Sequence, residues 1–209
     1  MHRNEIARVI ARYERREIDR ETMIDVLSSE GFVDLGHTKV DISRPSRTGY
    51  PEAVYCRGKT VDELVQIAEQ LHRHNGLALL TKVEEGQYAV LRDRFPDAAF
   101  HERAGMVVIG GGLPRKGLVS VLTGGTSDIP VAEEAAVTAE AFGSRVQRIY
   151  DVGVAGIHRL LAHRETITAS NVIVAVAGME GALASVAGGL FDIPIIGVPT
   201  DTGYGTSFQ

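Results

Sequence analysis

Short apolar runs alternate with helix-like segments throughout the second half of the sequence. A loop rich in glycine, threonine or aspartate follows most of the runs, which is typical of a buried strand that leads into a helix. The predicted strands are residues 119–122, 146–150, 172–176 and 195–198, and the predicted helices are 131–142, 157–162 and 180–190. Because continuous apolar strands are buried on both faces, this alternation predicts a parallel sheet covered by helices on its two sides.

The loops that follow the predicted strands form the expected ligand site. In open parallel sheets, ligands bind beyond the carboxyl ends of the strands, and these ends meet at one edge of the sheet. The loops at 123–128, 151–156, 177–180 and 199–205 should therefore converge there.

The first of these loops has the composition of an anion-binding turn. Gly124 and Gly125 let the backbone approach a ligand closely, Thr126 and Ser127 offer hydroxyls, and the N-terminus of the following helix favours an anion. The loop is neither a Walker loop nor a GxGxxG fingerprint. The alternative is a plain strand-to-helix turn in which Ser127 or Asp128 is the N-cap.

Ionisable side chains stand beside the second and third loops. Asp151 and the pair His158 and Arg159 flank the second loop, where an imidazole could handle a proton and a guanidinium an anion. Glu180 begins a helix of small residues, so that a ligand or a neighbouring chain could come close to it. The alternative is that these are solvated residues of the first helical turn, with Glu180 only a partner of the helix dipole.

The first half of the chain is predicted to be a separate small α+β domain. Its clearest element is a helix from Thr60 to about His74, since Thr60 and Glu63 have the spacing of a capping box. Residues 6–27 have helical character, 32–41 an extended one, 53–55 and 77–80 look like strands, and 43–52 are predicted to be a polar loop. The two predicted domains are residues 1–112 and 113–209.

Composition excludes several function classes. The net charge of −5 gives no global reason to expect nucleic-acid binding, and the single cysteine, Cys56, excludes an internal disulfide and a zinc site of several thiolates. Cys56 is expected to be an inert small residue rather than a nucleophile. The sequence shows no signal peptide, and charged, glycine and proline residues interrupt its most apolar stretch, 171–200, so we expect a cytoplasmic protein without a membrane span.

Several motifs together resemble one family. They are SRPSRTGYPEAVYCRGKT, LTGGTSDIPVAEEA, DVGVAGIHRLL, VAGMEGALASVAGGL and IIGVPTDTGYG, which span residues 43–205. Their combination is similar to the LarB-type family of pyridinium-3,5-biscarboxylic acid mononucleotide synthases. The resemblance implies an α/β fold class, with a small α+β N-terminal domain followed by a flavodoxin-like, three-layer domain related to aminoimidazole ribonucleotide carboxylase. It also implies a homo-oligomer, as an octamer.

The resemblance implies a reaction that begins nickel-pincer cofactor biosynthesis for lactate racemase. Nicotinic acid adenine dinucleotide is carboxylated at C5 of its pyridinium ring by carbon dioxide or bicarbonate, and its phosphoanhydride is cleaved to release AMP. In this family a cysteine thiolate adds at C4 and makes C5 nucleophilic. The alternatives are a purine-pathway carboxyaminoimidazole ribonucleotide mutase and a non-catalytic nucleotide-binding module.

Carried over by position, the resemblance also implies the site residues. The catalytic residues would be Asp151, His158 and Glu180, with Mg²⁺ at Asp151 and Glu180 and no prosthetic group. The substrate would contact Gly124, Gly125, Thr126, Ser127, Asp128, Gly178, Thr200 and Gly203.

One family motif has no counterpart in these 209 residues. The cysteine of the family lies in a segment of the type NSCAPG…NIDNGFGA that follows the GYG motif. We therefore expect a chain of this length to lack the C-terminal part of the second domain, and to bind the nucleotide without carboxylating it.

Overall fold

The structure, a computed structural model, describes residues 3–28, 31–111 and 113–202. The chain divides into two compact units, Met1–Gly112 and Leu113–Gln209. Among the described residues, no helix has both the length and the apolar character needed to cross a bilayer.

The first unit combines helices with a mixed sheet. Its helices are α1 (Arg3–Glu14), α2 (Arg20–Ser28), α3 (Arg44–Thr48), α4 (Val61–Asn75) and α5 (Glu85–Arg94). Strands β1 (Val33–Asp34) and β2 (Lys39–Val40) form an antiparallel pair. The four-stranded sheet has the order β3-β4-β6-β5, from β3 (Ala53–Tyr55), β4 (Leu77–Thr81), β5 (Ala99–His101) and β6 (Met106–Gly110). Only β3 and β4 are parallel in it.

The capping box predicted for α4 is present. The Thr60 hydroxyl accepts from the Glu63 amide at 3.3 Å, and the Glu63 carboxylate accepts from the Thr60 amide at 2.7 Å. The helix ends at Gly76, whose φ of +68° suits glycine. Its buried side chains Leu64 and Leu71 belong to the core of this unit.

Two predictions for the first unit need correction. The polar segment 43–52 contains the short helix α3, which begins at Arg44, has Pro45 in its first turn and is followed by Gly49 with a φ of +90°. The extended segment 32–41 is a hairpin of β1 and β2 rather than one strand. Helix α5 and strands β5 and β6 had no prediction from the sequence.

The second unit is a parallel sheet with helices on both faces. Its elements are β7 (Leu118–Thr123), α6 (Ile129–Ala141), β8 (Arg145–Ile149), α7 (Ile157–Ala162), α8 (Arg164–Thr168), β9 (Val172–Ala177), α9 (Ala182–Leu190) and β10 (Ile195–Pro199). All neighbouring strands pair in parallel, and their order is β10-β9-β7-β8. Read from the β8 edge, this is the order 2-1-3-4 that begins a flavodoxin-like sheet. The predicted fold class is therefore confirmed.

Strand β9 shows why this sheet needs two helical layers. Ile173 and Ala175 pack into the core that also contains Leu183 of α9. The alternate residues, Val174 and Val176, pack with Ala132 and Ala136 of α6 on the other face. Apolar residues at consecutive positions therefore bury both faces, as the uninterrupted runs predicted.

Candidate functional site

A cavity of about 310 Å³ lies where β7 and β9 end. This is the point at which the strand order reverses, which is where flavodoxin-like sheets bind their ligands. Its volume is at the lower end of the range for ligand pockets. The lining comes from the loops after all four strands and from the first residues of α9: Gly124, Gly125, Ser127, Asp128, Gly153, Val154, Ala155, Arg159, Ala177, Gly178, Met179, Glu180, Ala182, Leu183 and Thr202.

Backbone hydrogen bonds fasten these loops to one another. The Gly124 amide donates to the Val176 carbonyl at 2.9 Å, and the Val152 amide donates to the Thr123 carbonyl at 2.9 Å. The Thr200 amide donates to the Ala177 carbonyl at 3.1 Å. The four loops therefore continue the pairing of the strands beyond the sheet edge, which fixes the walls of the cavity.

Two glycines are required by close approach of the backbone. A Cβ atom at Gly153 would lie 2.3 Å from the carbonyl oxygen of Gly124, and one at Gly178 would lie 1.8 Å from that of Thr202. Both distances are far below van der Waals contact, so neither position has room for a side chain.

Asp128 is the polar centre of the site. It is only 4% exposed, and its Oδ2 atom accepts from the Gly125 amide at 2.8 Å. Its Oδ1 atom accepts from the hydroxyls of Thr200 and Thr202, both at 2.6 Å. The carboxylate makes no side-chain cap to α6. It joins the loop after β7 to the loop after β10 instead.

The cation of the pocket is Arg159, on the first turn of α7. Its Nη1 atom donates to Oδ2 of Asp151 at 2.5 Å. Arg159 lines the cavity, whereas Asp151 is not among the lining residues. A guanidinium at this position can bind a phosphate or a carboxylate group of a ligand.

The remaining lining residues form an apolar wall and supply one exposed carboxylate. Val154, Met179 and Leu183 supply apolar surface, and the exposed Glu180 lies in the turn before α9. Met179 has a φ of +57°, which is unusual for a residue other than glycine, and Gly181 follows it at +69°. This geometry starts α9 at Ala182, two residues later than predicted, and leaves Glu180 at the cavity rather than inside the helix.

Comparison with known proteins agrees with this architecture. Residues 32–111 match the family model described as the LarB/PurE-like N-terminal domain, and residues 118–208 match that of AIR carboxylase. An uncharacterized protein of Methanocaldococcus jannaschii is 44% identical over 179 residues, which cover 80% of this chain and 69% of that protein. The chain belongs to the LarB-like family. Its second unit places it among carboxylase-type proteins, and the predicted family is confirmed.

In this LarB-like chain, part of the predicted site lies in the cavity wall. The residues that line it are Gly124, Gly125, Ser127, Asp128, Gly178 and Glu180. Thr126, Asp151, His158 and Thr200 are not in the lining, and Gly203 lies outside the described residues. His158 is exposed, while Thr200 is buried behind Asp128. The functional roles predicted for all of these residues stay predictions.

Sequence reasoning missed several lining residues of the LarB-like pocket. Arg159 was considered as an anion contact but was not among the predicted site residues. Thr202 lies in the predicted site loop 199–205 without having been named, and the apolar wall was not foreseen. The sequence carried no local signal for Arg159, because the packing of its guanidinium against Gly156 shows only in the folded structure.

Among the residues that the structure describes, the predicted Mg²⁺ ligands, Asp151 and Glu180, are not part of a larger cluster of metal-binding side chains. Within residues 3–28, 31–111 and 113–202, no group of three or more His, Cys, Asp or Glu side chains could hold a metal ion. Asp151 is engaged by Arg159, and both oxygens of Asp128 accept hydrogen bonds. The described residues therefore hold no preformed metal site, and Mg²⁺ at Asp151 and Glu180 stays a prediction.

Cys56 of the first unit is fully buried. Burial raises the pKa of its thiol to about 11, so it is almost entirely protonated at neutral pH. A buried, protonated thiol is a poor nucleophile, which agrees with the inert role expected for it.

Proposed function

We propose that the protein carboxylates C5 of nicotinic acid adenine dinucleotide and cleaves its phosphoanhydride. The products are AMP and pyridinium-3,5-biscarboxylic acid mononucleotide, the precursor of the nickel-pincer cofactor of lactate racemase. Membership in the LarB-like family supports this reaction class.

The charge pattern of the cavity is the observation that carries the choice of substrate. A carboxylate at Glu180 and a guanidinium at Arg159 line one cavity that also has an apolar wall. The mononucleotide half of the dinucleotide carries a cationic aromatic ring and anionic groups, so it matches both charges and the apolar surface. An aminoimidazole nucleotide has a neutral ring and would leave Glu180 without a cationic partner.

The proposed roles of the lining residues follow from these charges. Arg159 binds a phosphate or carboxylate of the substrate, and the amides at the start of α6 add partial positive charge for an anion. Glu180 faces the cationic ring. In the reaction of this family a thiolate adds at C4, and C5 then attacks carbon dioxide. As a carboxylate, Glu180 can accept the C5 proton, and departure of the thiolate from C4 then restores the aromatic ring.

Binding separates this proposal from the purine-pathway reaction. Nicotinic acid adenine dinucleotide should raise the melting temperature of the chain, because a ligand that binds only the folded state stabilises it. Carboxyaminoimidazole ribonucleotide should raise it less. Stabilisation by the imidazole nucleotide alone would contradict the proposal.

The matched variant for this test is Glu180→Gln. It removes the negative charge and keeps the shape, so it should weaken binding of the dinucleotide, whose pyridinium ring is cationic, and leave binding of the imidazole nucleotide unaffected. Turnover is measured on the complete gene product as AMP release and incorporation of labelled bicarbonate. Dinucleotide binding without turnover there would favour a non-catalytic nucleotide-binding module.

We also propose that the protein is a homo-oligomer, as an octamer, in which α9 packs against another chain. Helix α9 exposes Ser185, Gly188 and Gly189, and such small residues allow close approach. Ser185→Arg should lower the mass measured by light scattering, whereas Ala162→Arg, at an exposed position of α7, should not. A wild-type chain that is monomeric at micromolar concentration would refute the proposal.

A further inference from the structure

Asp151 lies beside the cavity in a conformation that needs an explanation. Its φ is +58°, a region in which residues other than glycine are uncommon and which aspartate and asparagine tolerate best. Its amide donates to the hydroxyl of Thr123 at 2.9 Å, and Thr123 is completely buried at the end of β7. The backbone of Asp151 is thus fixed to the central strand of the sheet.

The Asp151 side chain reaches the cavity only through Arg159. Its Oδ2 atom accepts from Nη1 of Arg159 at 2.5 Å, and Arg159 is the member of the pair that lines the cavity. Two hydrogen bonds therefore connect buried Thr123, through Asp151, to the Arg159 guanidinium at the ligand site.

Gly156 packs against the guanidinium of Arg159. A Cβ atom at this position would lie 2.7 Å from Nε and 3.2 Å from Cζ of Arg159, so the guanidinium lies across the space that a side chain would occupy. The φ of Gly156 is −131°, which other residues also adopt. Close packing with Arg159, rather than backbone conformation, therefore accounts for a glycine here.

We propose that Asp151 is a positioning residue that, with Gly156, holds the Arg159 guanidinium in the cavity before an anionic group of the substrate arrives. The identity of that substrate rests on the proposed function. An arginine side chain loses much rotamer freedom when it binds, and one that is already ordered binds an anion more tightly. Asp151 then contacts neither the substrate nor a metal.

A double-mutant cycle tests this role. Asp151→Asn keeps the shape and tolerates the same φ, and it should raise the Kd for nicotinic acid adenine dinucleotide roughly 10- to 30-fold, the size of side-chain ordering. Arg159→Met should raise it roughly 100-fold. In the Arg159→Met background, Asp151→Asn should have no further effect. An undiminished effect there would overturn the proposal, since Asp151 would then act without Arg159.

Gly156→Ala is an independent variant. The added methyl group meets only the flexible end of Arg159, so it should displace the guanidinium and weaken dinucleotide binding while the melting temperature stays near that of the wild type. Unchanged affinity would count against a preset guanidinium.

A measurement without ligand separates this inference from the proposed function. Arg159 should react with phenylglyoxal several-fold faster in Asp151→Asn than in the wild type, as followed by peptide mass spectrometry. Equal rates overturn the positioning role, even in a chain that binds the dinucleotide. A wild-type chain that does not bind the dinucleotide refutes the proposed function, and the phenylglyoxal rates still decide the role of Asp151.

Discussion

Gly178→Ala is expected to abolish most nucleotide binding by the second unit. The new Cβ atom would lie 1.8 Å from the carbonyl oxygen of Thr202, so the segment after β10 must move away from the cavity. Displacements of about 1 Å in a site can lower a reaction rate roughly 100-fold, and we expect the affinity for nicotinic acid adenine dinucleotide to fall by a factor of that order. Overpacking should also lower the free energy of unfolding by about 1–3 kcal/mol.

The control for this prediction is Gly86→Ala. Gly86 is exposed in α5 of the first unit and has nothing within 4 Å of an added Cβ atom. The change should leave binding intact and raise the stability by up to about 1 kcal/mol, since alanine favours a helix over glycine. Isothermal titration calorimetry and urea unfolding measure both effects. If Gly178→Ala binds the dinucleotide like the wild type, the close contact with Thr202 is not part of the binding-competent site.

Much of the second unit could be predicted because its signals are local and continuous. Four apolar runs specify four strands, and the helices between them are long enough for α6 and α7 to be found within two residues of their observed starts. Elements of five residues, such as α3 and α8, are too short to show a hydrophobic period, and their existence depends on packing with the rest of their unit.

The location of the site was predictable, but its side chains were not. Parallel strands end at one edge whatever their sequence, so the four loops had to converge. Which side chain then enters the cavity depends on a rotation of about 100° per helical residue. His158 and Arg159 are neighbours in α7, and only Arg159 lines the cavity. The sequence contains no local feature that decides between them.

Asp128 is the residue whose binding role and structural role can be distinguished most clearly by experiment. From the sequence, Asp128 was expected to contact the substrate, whereas in the structure it accepts hydrogen bonds from Gly125, Thr200 and Thr202. Asp128→Ala should lower the free energy of unfolding by about 4.5 kcal/mol or more, because it removes three hydrogen bonds to a buried carboxylate and each is worth about 1.5–3 kcal/mol. Asp128→Asn should lose about half as much, since its amide can still accept from the hydroxyls but presents a donor to the Gly125 amide.

The free energy of unfolding and the affinity for the dinucleotide, measured on the same variants, decide between the two roles of Asp128. If Asp128 served only to bind substrate, Asp128→Ala would weaken the dinucleotide and leave urea unfolding unchanged. If it holds the loops together, Thr202→Val should reproduce part of the loss of stability, about 1.5–3 kcal/mol for one hydrogen bond to a carboxylate, without changing Asp128 itself. Because Thr202 itself lines the cavity, affinity should fall together with stability in both variants. The walls of this pocket and the fold of its edge would then depend on the same buried carboxylate.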